Sequence, residues 1–176
     1  MGAGRDPYAD FVAVSRHVDP TLTGGYIYPP GLAWYLQPLA GMPRPAAHAL
    51  VAVLLQLLLL ISLVAILRAL GPVPGRLAVL VGILTIAFFP LWQNLAYEQV
   101  NLLLLAMSAT WLLCWAAGEG AGRFREGVGG LLIGAAVAIK LIQAPGLGLV
   151  LWRRRWSMLL PAAVGLSIVL GAGFPW

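Results

Sequence analysis

From residue 46 to residue 67 the chain carries no Asp, Glu, Lys or Arg, and Leu57 to Ile61 is an unbroken aliphatic block inside it. As a helix this run is about 33 Å long, enough to cross the hydrocarbon core of a bilayer. Further apolar runs follow over 77–92, 102–117, 127–151 and 158–174, and no small soluble core could absorb them all. Hydrophobic residues make up 61% of the chain and charged residues 10%. These features predict an integral membrane protein, an all-α polytopic bundle of transmembrane helices in one membrane domain over 46–176. A loop with a short membrane-surface helix precedes it over 1–45. The sequence opens without a segment that would carry this loop outward and stops inside an apolar run, so it reads as incomplete at both ends.

The net charge of +5 would suggest nucleic acid in a soluble domain, but here most cations lie in short loops between apolar runs, where they set orientation. No nucleic-acid partner is expected. The single cysteine, Cys114, excludes an internal disulfide and a cysteine metal cluster.

Lys140 stands inside the apolar stretch from Gly127 to Leu151. An ammonium at bilayer depth costs about 2.5–3.5 kcal/mol on insertion scales, so such a residue marks a functional site with an anionic partner. If the 46–67 helix ends inside, Arg68, Arg76, Arg123 and Arg125 are cytoplasmic, and the 93–99 loop, free of Lys and Arg, is outside. A single crossing over 127–151 would then put Arg153, Arg154 and Arg155 on the wrong side. A break between Lys140 and Pro145 removes the conflict. It divides the stretch into two short half-helices, a re-entrant hairpin with Lys140 at its outer tip.

On this topology the reactive side chains gather on the outer face. Asp6, Asp10, Asp19, Tyr26 and Tyr28 come from the head; Glu98, Gln99 and Asn101 come from the outer loop; Lys140 comes from the hairpin. A carboxylate, amides and a cation beside apolar walls suit attack of a hydroxyl on a sugar carbon with departure of a lipid-linked phosphate. One carboxylate takes the hydroxyl proton, and a fixed cation stabilises the leaving oxyanion.

Asp10-Phe11, Asp19-Pro20 and Tyr26-Ile-Tyr-Pro-Pro30 resemble the first outer loop of glycosyltransferase family 87, membrane enzymes of the GT-C class that include polyprenyl-phosphate-mannose-dependent mannosyltransferases. Glu98-Gln-Val-Asn101, the glycine-rich run from Gly129 to Lys140, and Leu151-Trp-Arg-Arg-Arg-Trp156 are similar to later blocks of that family. Glu98 replaces the family's usual glycine, and Gln143 to Pro145 replaces a proline that usually follows the lysine more closely. The resemblance implies an inverting hexosyltransferase of the plasma (inner) membrane with its active face extracytoplasmic. It would move a hexose, mannose by the resemblance, from a polyprenyl phosphate to a lipid or glycan hydroxyl. Asp10 is the implied catalytic base. Lys140, Gln99 and Asn101 are expected to bind the donor phosphate, and Tyr26, Tyr28 and Glu98 to line the sugar and acceptor pocket. No cofactor is expected, although a divalent ion is compatible with the chemistry.

Duller readings stand beside these. Gln99 and Asn101 also suit the cap of a helix that starts near Asn101. Gly129, Gly130 and Gly134 have the spacing of close helix packing, and Trp92, Trp152 and Trp156 that of interfacial anchors. A transporter or lipid-binding subunit with Lys140 beside broken helices, or an inactive truncated product, is the alternative to the enzyme.

Overall fold

The computed structural model describes residues 35–96, 99–118 and 122–171, and among them every regular element is helical. After a 3-10 turn at Gln37–Gly41 come α1 (Arg44–Ala69), α2 (Gly75–Ala87), α3 (Phe89–Ala96), α4 (Asn101–Ala116) and α5 (Arg123–Ile139). A second 3-10 turn at Leu141–Gln143 leads into α6 (Ala144–Trp152) and α7 (Trp156–Gly171). Of the outer head, Asp10, Tyr26 and Tyr28 lie outside the described residues, as does Glu98.

Pro45 sits in the first turn of α1, where its missing N–H costs nothing, and Gly71 just past the end takes the left-handed conformation (φ 83°) that stops the helix. Over Pro45–Ala69, 25 residues with an 18-residue stretch at a mean hydropathy of 3.1, α1 is the one helix of spanning length and apolarity among the described residues. Its uncovered side shows Val53, Leu54, Leu57, Leu60, Ile61 and Val64, a continuous aliphatic stripe suited to lipid. Hydroxyls within apolar helices bond back to the preceding turn: Ser62, fully buried, donates to the Leu58 carbonyl at 2.6 Å and Thr110 to that of Ala106 at 2.8 Å.

The apolar run over 77–92, read from sequence as one short helix, is two. The chain bends by 60° between α2 and α3, with Phe88 extended at the joint. Pro90 explains the break, because it has no N–H for the carbonyl of Ile86 one turn earlier. The Trp92 indole supplies the missing donor at 2.7 Å. Trp92 thus closes a broken helix as well as standing at the surface. Taken together the bent pair is apolar enough for a second span.

The hairpin read from sequence also changes shape. Its first arm, α5, begins at Arg123 rather than Gly127 and is 17 residues long, about 25 Å, so it is not a half-helix. The break falls at Lys140 itself, which is extended (φ −151°, ψ 115°), while Pro145 sits harmlessly in the first turn of α6. The reversal itself is present. Gly146 returns beside Ile133, and Val150 packs in one cluster with Trp111, Ile133, Met158 and Ala162.

Helices α5 and α7 make the most extensive contact in the fold. They run parallel: Gly130 faces Met158, Gly134 faces Ala162, and farther along Ile139 and Val169 share a cluster. A Cβ at Gly130, Gly134 or Gly165 would run into the carbonyl of Met158, Ala162 or Leu131 respectively. The small-residue spacing therefore does what the sequence suggested and brings backbones together. Helix α4 lies antiparallel on α5, with Cys114 against Gly129 and Leu104 against the Ala135–Ile139 end. On its other side Leu102 meets Leu55 of α1 and Leu91 of α3.

This arrangement gives the bundle two chemically different ends. One holds the Lys140 turn, the start of α4 and the end of α7. The other holds the end of α4, the start of α5 and the arginine triplet, with Arg155 donating to the Trp115 carbonyl at 3.1 Å and lying 4.1 Å from the Trp115 ring centroid. The triplet thus returns to the end that carries Arg123 and Arg125.

Candidate functional site at the Lys140 turn

The break after Ile139 aims Lys140 across the start of α4. Its ammonium donates to Asn101 Oδ1 at 3.1 Å. An ammonium can only donate, so the atom facing it must be the amide oxygen, and the Asn101 amide nitrogen is turned the other way. That nitrogen donates twice, to Gln99 Oε1 at 2.8 Å and to Asn94 Oδ1 at 2.7 Å. Asn94 is oriented in turn by its own Nδ2, which donates to the Pro90 carbonyl at 2.6 Å. A chain of amides with one consistent polarity therefore runs from a backbone carbonyl of α3 to the lysine on the far side of α4.

The structure brings together Lys140, Asn101 and Gln99, three residues expected at one site, and adds Asn94. In the sequence Asn94 falls in the 93–99 loop, and no motif singles it out there. It sits four residues after Pro90 on the short helix α3, and the hydrogen bond from Asn101 is what places it at the site. Its main-chain carbonyl also accepts the Gln99 N–H at 2.9 Å, which closes the loop between α3 and α4.

The capping alternative for Gln99 and Asn101 does not hold. Val100 is the N-cap of α4, and no side chain caps that end. Both amides are spent on each other and on Lys140 and Asn94 instead. Beneath the turn, Ser108 of α4 donates to Gln143 Oε1 at 3.0 Å, pinning the segment after Lys140 to the same helix that carries Asn101.

One amide oxygen meets one of the three ammonium N–H bonds, and Asn101 is the only polar partner of Lys140 among the described residues. The remaining donors can serve an anion. Leu141 and Ile142, immediately after the lysine, are 78% and 72% exposed, so a half-buried cation opens directly onto bare apolar surface. The site suits a molecule with an anionic head and a hydrocarbon body.

The amide chain makes a prediction of its own. Asn94→Ala removes one of the two acceptors that keep the Asn101 nitrogen away from Lys140, a neutral hydrogen bond worth about 0.7–1.4 kcal/mol. The affinity of the Lys140 turn for a phosphate anion should fall about 3- to 10-fold, with the melting temperature lower by about 2–4 °C because the same hydrogen bond ties α3 to α4. An unchanged affinity would separate Asn94 from the site.

Comparison with curated proteins and with solved structures finds no match. The family model of glycosyltransferase family 87 matches residues 26–176, a span that contains the whole Lys140 turn, the amide chain and the arginine triplet and leaves Asp10 outside it. With most of its length matched, the chain belongs to glycosyltransferase family 87.

Proposed function

We propose that this glycosyltransferase is a polytopic membrane enzyme that takes a hexose, mannose by the family resemblance, from a polyprenyl phosphate. The acceptor is a lipid or glycan hydroxyl on the extracytoplasmic side. The observation that carries the reading is the Lys140 ammonium, oriented by Asn101 and flanked by the exposed Leu141 and Ile142. A phosphate joined to a long isoprenoid needs that combination, a cation for the head beside apolar surface for the tail.

In the proposed reaction the acceptor oxygen attacks the anomeric carbon from the face opposite the phosphate, and the carbon–oxygen bond to phosphate breaks with inversion. The phosphate leaves with the bonding electron pair, and its growing charge is met by Lys140, which Asn101 orients from within the phosphate site, while the Gln99 amide N–H groups hold the donor. The acceptor proton passes to Asp10. Tyr26, Tyr28 and Glu98 line the sugar and acceptor pocket. Because the leaving group is a weakly basic anion, the scheme needs neither a general acid nor a metal.

Two observations support an outward-facing site. Arg123, Arg125 and the triplet Arg153 to Arg155 lie at the end opposite Lys140, as the bias toward cytoplasmic cations requires if Lys140 is outside. The Tyr35 hydroxyl, just after the head, donates to the Ile168 carbonyl at 3.4 Å, beside the Val169 that packs with Ile139. Tyr35 therefore lies at the Lys140 end.

The test is transfer from labelled polyprenyl-phosphate hexoses in membranes carrying the protein. Asp10→Asn should lower the rate about 10²–10⁴-fold, the range for losing a general base, while donor binding persists. Transfer within threefold of wild type would remove Asp10 from the reaction, and labelling of positions 10 and 140 from opposite faces of the membrane would dismantle the site.

A further inference from the structure

The loop between α6 and α7 contains a backbone outlier. Arg154 has φ 53°, the one positive-φ residue other than glycine among the described residues. Its N–H bonds to the Leu151 carbonyl at 3.0 Å, and the Arg155 N–H reaches back to the Val150 carbonyl at 3.1 Å. This pair of bonds is the Schellman ending of a helix, in which the left-handed position normally belongs to glycine because any Cβ is strained there. Arginine is poorly suited to it.

Topology alone does not call for that choice. A positive-inside signal needs charge somewhere in the loop, and Arg153 and Arg155 supply it without strain. Arg155 is engaged with Trp115, whereas Arg153 and Arg154 are exposed. An arginine kept in an unfavourable conformation points to a use for its side chain.

The surroundings indicate the use. Trp152 and Trp156 bracket the triplet at 80% and 65% exposure. At the same end of the bundle Phe124, 83% exposed, stands between the exposed Arg123 and Arg125. Exposed rings interleaved with guanidinium groups on two adjacent segments suit the headgroup layer, where rings lie among the upper acyl chains and planar cations bind phosphate in bidentate fashion. The end opposite Lys140 thus has a charge pattern of its own, which does not depend on the glycosyl-transfer reading.

We infer that Arg153 and Arg154, with Arg123 and Arg125, form a binding site for the phosphate of an anionic phospholipid headgroup, and that Arg154 holds its left-handed position to present its guanidinium there.

The proposal predicts opposite signs for stability and binding in one variant. Arg154→Gly relieves the backbone strain, so the detergent-solubilised protein should melt about 2–4 °C higher. The same variant should bind phosphatidylglycerol about fivefold more weakly, the contribution expected of one basic residue near an anionic surface. Arg154→Asn, which also tolerates the left-handed region, should behave alike. The assay titrates the purified protein with phosphatidylglycerol, phosphatidylcholine or inorganic phosphate and follows the melting temperature.

Stabilisation by phosphatidylglycerol that exceeds that of phosphatidylcholine and weakens in both variants supports the site. Equal stabilisation by the two lipids, an undiminished response in Arg154→Gly, or reproduction of the whole effect by inorganic phosphate overturns it. Sugar transfer is not the readout, so these outcomes are independent of the enzyme reading.

Discussion

Lys140→Met should lower the rate of sugar transfer about 10²–10³-fold, the loss typical when one preorganised group facing a developing oxyanion is removed. The methionine keeps the length and apolar body of the lysine, so the extended break and the return of α6 have no reason to change. What disappears is the one cation of the Lys140 turn, the group that Asn101 orients from 3.1 Å away. Lys140→Arg is the informative companion. It keeps the charge but replaces a compact ammonium with a planar fork that cannot sit on Asn101 in the same way, and it should recover only part of the rate. The measurement is transfer from labelled polyprenyl-phosphate sugar in membranes with matched protein levels. If Lys140→Met kept the rate within twofold of wild type, the phosphate-binding role would be lost, whatever the fate of Asp10.

The second large effect is on the fold. In Gly134→Val the new Cβ would overlap the Ala162 carbonyl, a backbone atom that cannot swing aside, so α5 and α7 must separate along their whole contact. Overpacking of this kind costs about 1–3 kcal/mol or more, equivalent to a melting temperature lower by roughly 2–12 °C for a chain of this size. The protein carries its own probe. Cys114, the single cysteine, is buried at the α4–α5 contact against Gly129, so a thiol-reactive dye reports the opening of the bundle directly. Gly148→Ala is the control, because a Cβ there meets nothing within 4 Å. The two glycines should differ sharply, and equal melting would mean that α5 and α7 do not pack through Gly134.

These two effects rest on different kinds of information. The glycine contact was readable in advance, since Gly130 and Gly134 lie one turn apart in an apolar run, and small residues at that spacing leave a groove that another backbone can enter. Lys140 was readable too, because a charge in an apolar run is costly enough to need a reason. The grouping of Lys140 with Gln99 and Asn101 followed from topology, since cation bias and the break together set them at one end of the bundle. So did the return of the arginine triplet to the end of Arg123 and Arg125.

Local composition was a weaker guide to where helices break. The run over 77–92 is apolar throughout, and the effect of Pro90 could not be weighed without knowing that Trp92 would satisfy the Ile86 carbonyl. Pro145 looked like the breaker of the second stretch yet lies in the first turn of α6, while the backbone leaves the helix at Lys140. Asn94, Ser108 and Gln143 gained their places only from three-dimensional contact.

Residue order alone pointed to the membrane, the helical class, the close-packing glycines and the lone cation Lys140, because each depends on hydrophobicity, charge or size at a position. Contacts in space were needed for the orientation of each amide, for the site of each break and for the strained arginine opposite. A hydrogen bond's direction and a backbone's conformation depend on which partner arrives, and the partners of the amides at the Lys140 turn lie from 2 to 39 residues away in the chain.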